Sequence, residues 1–79
     1  MEPTILDESN LVAFIQLNQG LKPEPIITDD GRVSFRFHED VSRSIAEFYG
    51  GKLVSVTEFV NNVKQVRSMI FTLKKGRKN

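Results

Sequence analysis

The chain has 79 residues, 39% hydrophobic and 27% charged, with six Phe, one Tyr, no Trp and a formal net charge of +1; this describes one small globular domain near the lower size limit for a self-sufficient core. The absence of Cys excludes disulfides, thiolate zinc sites and thiol nucleophiles, and it suits a reducing, cytoplasmic setting. The acidic start MEPTILDESN lacks a basic segment followed by an apolar run, and no stretch is long enough to cross a bilayer, so neither secretion nor a membrane partner is expected.

Residues 1–6 are expected to be a flexible lead-in. DESNLVAFIQLNQG then places Leu11, Phe14, Ile15 and Asn18 at helical spacing, with Asp7 or Ser9 as N-cap and Gly20 as the stop. Pro23 and Pro25 end any helix. PIITDDGRVSFRF has β-branched and aromatic residues on both sides of Asp30-Gly31, which predicts a β-hairpin with a two-residue type I′ turn. That turn sets Thr28 opposite Val33 and Ile26 opposite Phe35; a longer, bulged loop changes these partners but not the alternation within the second strand. Val33, Phe35 and Phe37 then face the core with Ile26, while Arg32, Ser34, Arg36 and His38 face solvent.

EDVSRSIAEFYGG carries Val41, Ile45, Phe48 and Tyr49 at helical offsets, with Asp40 as N-cap and Gly50 as stop. Ser55-Val56-Thr57-Glu58 matches the capping box that opens a third helix. Its apolar residues Val56, Phe59, Val63, Val66, Ile70 and Leu73 follow a 3-4 spacing, a seam that must be buried within the domain or against a second copy. A flexible basic tail is expected over 75–79. The whole of 1–79 thus reads as a single α+β domain of order α-β-β-α-α, a two-stranded antiparallel hairpin packed against helices.

LVAFIQLNQGLKPEPI, GRVSFRFHED, AEFYGG and FVNNVKQVRSMIF together resemble a small bacterial and phage domain family of unknown function, built as helix, hairpin and two helices. The resemblance implies that fold and, since the family has no assigned activity, supplies no catalytic residues.

Local chemistry is sparse. His38-Glu39-Asp40 holds the only histidine, but consecutive side chains at a strand end diverge and do not converge on one ion. Asp29-Asp30-Gly31 lacks the alternating oxygen ligands of a calcium loop, and the chain has no nucleophile elbow, P-loop or dinucleotide fingerprint. No catalytic residue, metal site or cofactor is expected, and the chain is read as non-enzymatic.

Charge is distributed unevenly. Residues 1–30 hold six acids against Lys22, residues 31–59 balance, and residues 60–79 hold six cations and no acid. Lys64, Arg67, Phe71, Lys74 and Lys75 fall near one another on the third helix, off the apolar seam, where cations meet phosphates and an exposed ring stacks on an unpaired base. Arg32 and Arg36 offer a second basic site. The expected function is binding of DNA or RNA phosphates through this helix. The alternative is a protein-interaction module, a homodimer through the third helix or a hairpin edge. A simpler account of the cations is that they offset the helix dipole and aid solubility.

Overall fold

A computed structural model describes residues 2–77, with side chains through residue 75. The elements are β1 (Thr4–Leu6), α1 (Ser9–Gln19), β2 (Glu24–Ile27), β3 (Val33–Phe37), α2 (Ser42–Tyr49) and α3 (Val56–Arg77). The α+β class and the order helix, hairpin, helix, helix hold. The sheet, however, has three antiparallel strands in the order β1-β3-β2, not two. Thr4–Leu6, assigned above to a flexible lead-in, pairs with β3 in the register Thr4↔Phe37, Ile5↔Arg36 and Leu6↔Phe35, and Leu6 packs against the core. Of the tail expected over 75–79, residues 75–77 continue α3 and 78–79 lie outside the described residues.

The hairpin register is displaced by one residue from the type I′ expectation: Ile27 pairs with Val33, Ile26 with Ser34 and Pro25 with Phe35. The cause is the loop. Thr28 N–H donates to the Arg32 carbonyl at 2.8 Å, Gly31 N–H donates to the Thr28 carbonyl at 2.9 Å, and only Gly31, at φ 85°, has positive φ. A type I′ turn needs positive φ at Asp30 as well; the chain instead makes a three-residue loop closed by a left-handed glycine. Ile26 therefore faces outward, and Pro25 and Ile27 take the inner face. Gly31→Ala is expected to cost about 1–2 kcal/mol, because an L side chain is strained in the left-handed region; urea unfolding measures it.

Alternation within β3 survives the shift. Phe35 and Phe37 are fully buried, whereas Arg36 is half-buried and His38 exposed. Ser34 is nonetheless buried on the outer face. The third strand explains this: β3 is central, and its outward residues are flanked by neighbours on both sides, including Ile26 and the Asp7–Arg32 ion pair at 3.0 Å.

Helices cover only the inner face. Leu11, Val12, Ala13 and Ile15 of α1, Val33, Phe35 and Phe37 of β3, Val41, and Val66 of α3 form one core cluster. α1 is buried over five consecutive residues, Leu11 to Ile15, since it lies among the sheet, α2 and α3. In α3 Val66 is fully buried and Phe59, Val63, Ile70 and Leu73 pack partly against the core. Val56, expected in the seam, is 76% exposed, because the first turn of a helix about 33 Å long runs past its support.

Caps fix the helix ends. Glu8, between the two candidates read from sequence, caps α1 by accepting from Asn10 N–H at 2.6 Å, and Gly20 closes it in the left-handed region at φ 67°. The N-cap of α2 is Val41, which makes no side-chain cap bond, and not Asp40 as read from sequence; Asp40 stands one residue earlier and accepts from the Ser42 N–H at 3.0 Å and the Ser42 hydroxyl at 2.7 Å, while Ser55 Oγ accepts from Glu58 N–H at 3.3 Å. Gly50 closes α2 in a right-handed conformation, and Gly51, at φ 80°, takes the left-handed one.

Four carboxylates, three exposed and Glu47 half-buried, are held below their ordinary values. Asp40 is lowered first by the Ser42 backbone N–H, Asp30 by the Thr28 hydroxyl, Glu24 by its hydrogen bond with His38, and Glu47 by the Asn18 amide. Depressed groups contribute stability that is present above their unfolded-state values and lost as pH falls through their folded values. The melting temperature is therefore expected to stay level from neutrality down to about pH 5 and to fall below about pH 4. Circular dichroism melts across an acid series check this, and Asp40→Asn should shallow the acid limb.

Candidate functional site

The exposed side of α3 carries the feature that most distinguishes this surface. Lys64, Arg67, Phe71, Lys74 and Lys75 recur at intervals of three and four residues, which aligns them along one strip of the helix. All are exposed, Phe71 to 67% despite its apolar ring, and Lys75 Nζ lies 5.9 Å from the centre of that ring, within cation–π range. The strip is held in place because Val66 and Ile70, in the same turns of the helix, pack in and against the core.

Ion pairing separates these cations from most of the others. Arg32 pairs with Asp7 at 3.0 Å, Arg36 with Glu24 at 3.4 Å, Arg43 with Glu47 at 3.5 Å and Lys52 with Glu47 at 3.5 Å. Among the described residues, Lys64, Arg67, Lys74 and Lys75 have no carboxylate within ion-pair distance, and neither does Lys22. The seven residues singled out from sequence thus fall into two groups. Five share the α3 strip, while Arg32 and Arg36 lie on the outer face of the sheet, locally balanced by acids.

His38 belongs to that outer face. Its Nε2 is 3.0 Å from Glu24 Oε1, the same oxygen that accepts from Arg36. Among the described residues no three His, Asp or Glu side chains are grouped to hold a metal ion. Asn18 ties α1 to α2 and the following loop, donating through Nδ2 to Ser44 Oγ at 3.0 Å and Glu47 Oε1 at 2.8 Å while accepting from Lys52 Nζ at 2.7 Å.

A groove opens beside the strip, between α1 and α3. Gln16 and the Lys22-Pro23 lead-in form one wall, Lys64, Gln65, Ser68 and Met69 form the other, and the space is about 540 Å³. Gln16 Nε2 donates to Gln65 Oε1 at 2.8 Å across it, while Gln16 Oε1 is buried without a partner among the described residues. Sequence reasoning passed over Lys22 because it is an isolated cation in an acidic segment; only the packing of α1 on α3 sets it across a groove from Lys64.

The chain matches no protein-family model, and comparison with curated proteins and with solved structures yields no match. Among the described residues no helix is long and apolar enough to cross a membrane.

Proposed function

We propose that the protein is a non-enzymatic nucleic-acid-binding domain that contacts phosphates through the exposed strip of α3. The observation that carries this reading is the placement of Lys64 and Arg67. Helix-dipole compensation accounts for cations only in the last turn, which holds Lys74 and Lys75; it gives no reason for two cations in the middle of the helix that have no carboxylate partner among the described residues. A row of unneutralised cations over a rigid helix releases counterions when it meets a phosphate backbone, and an exposed phenylalanine among them offers a stacking surface to an unpaired base. Arg32 and Arg36 contribute less, since each already has an exposed carboxylate partner.

Titration of labelled single-stranded and duplex oligonucleotides at low salt tests the reading. Phe71→Ala is expected to weaken single-strand binding roughly fivefold or more, with little change for duplex, because only an unpaired base presents its face to the ring. Equal effects on both forms would remove Phe71 from the site, and no binding of either form by the unaltered protein would remove the function.

One observation favours a second reading, a self-association or protein-interaction module. Tyr49 is 72% exposed and Leu53 92%, and with Val56 and Val60 they leave apolar surface uncovered around the start of α3. A dimer that persists on dilution to low micromolar in light scattering, and that Val56→Asp dissolves without unfolding, would place this reading first.

A further inference from the structure

Extending the α3 reading, on which this rests, we propose that the groove between α1 and α3 seats one unpaired nucleobase, with the adjoining phosphates held between Lys22 and Lys64. The space, about 540 Å³, lies within the range of small-molecule pockets, which combine apolar walls with a few polar groups. Buried Pro23 and half-buried Met69 supply apolar surface. Gln16 Nε2 and Gln65 Oε1 bond to one another at 2.8 Å; the Gln65 amide N–H groups and Gln16 Oε1, buried without a partner among the described residues, remain as donor and acceptor, the combination that glutamine uses to read base edges. Lys22 and Lys64 stand on opposite walls, both without a carboxylate partner among the described residues. Lys64 belongs to both groove and strip, so a strand following Lys64, Arg67 and Phe71 passes the mouth and turns one base inward.

Strand addition at the neighbouring edge of β2 is disfavoured. Thr28 and Arg32 form a hydrogen-bonded pair, so alternation directs the free backbone positions of β2 outward at Pro25 and Ile27. Proline has no N–H to offer there, which blunts the edge against strand addition.

The test uses the full chain, oligothymidylate and a duplex of equal length, with fluorescence anisotropy over a salt series. Ser68→Trp fills the groove from an exposed position without altering charge, and Lys22→Glu reverses the cation that lies off α3. Each is expected to weaken oligothymidylate binding roughly tenfold while duplex affinity stays within about twofold. The Met69 methyl resonance of the unaltered protein should shift saturably with oligothymidylate. If both variants bind oligothymidylate as the unaltered protein does, or the Met69 methyl does not move, the groove assignment fails while the α3 reading stands. If neither nucleic acid binds, both fail. A saturable Met69 shift with polyglutamate and none with oligothymidylate would also overturn the assignment, in favour of an acidic peptide.

Discussion

Reversing charge at Arg67 and Lys74 together is expected to lower affinity for a phosphate backbone about a hundredfold at about 50 mM salt and to reduce the log–log salt slope by about two units. Each phosphate contact contributes close to one unit of slope through the counterion it releases, so the loss of two contacts appears twice, in affinity and in its salt dependence. Both side chains are exposed and lie off the buried seam; substitution at such positions changes stability by about 0.5 kcal/mol or less, and the variant should melt close to the unaltered protein. Anisotropy titrations at several salt concentrations give slope and affinity together. An unchanged slope would mean that these cations serve only solubility and the helix dipole.

The largest expected effect on folding is at Phe35. Its side chain is fully buried at the centre of the sheet, between the inner-face positions Leu6 and Pro25 of the flanking strands. Phe35→Ala removes that burial and leaves a cavity that neighbours only partly fill, at about 3–5 kcal/mol. A domain of this length has roughly 4–12 kcal/mol in total, so the variant is expected to be largely unfolded at 37 °C or to unfold at far lower urea. Arg36→Ala, one residue away on the outer face, should cost about 1 kcal/mol, the upper end for a surface ion pair, since the Arg36 side chain is half-buried. Urea midpoints of the two variants compare the faces directly, and equal losses would contradict the one-sided core.

What was legible in the sequence followed the strength of periodic signals. Val33, Phe35 and Phe37 announce β3 by strict alternation, and the 3-4 spacing from Phe59 to Leu73 announces α3. The N-terminal strand was not legible, since Thr-Ile-Leu between Pro3 and Asp7 is too short to establish a period and its partner is remote in sequence. The hairpin register was missed for a different reason. Asp30-Gly31 fits a two-residue turn by composition, and which loop forms depends on whether Asp30 accepts positive φ, which residue identity does not determine. The same limit applies to function. The cations of α3 were visible as a run of charge, but that Lys64, Arg67, Lys74 and Lys75 have no carboxylate partner among the described residues is a property of the fold, as is the approach of Lys22 to Lys64.

Contact between α1 and α3 is the most extensive between any two elements, and α3 is made after every other element described above. Until α3 emerges, the five buried residues of α1 have no partner on that side, and the nascent chain has only a small sheet and two short helices from which to build a core. Folding is therefore expected to wait until α3 has been made. A chain stopped before residue 56 should be a target for proteolysis and not a smaller stable domain, so the cell obtains the basic helix and the folded protein together or neither.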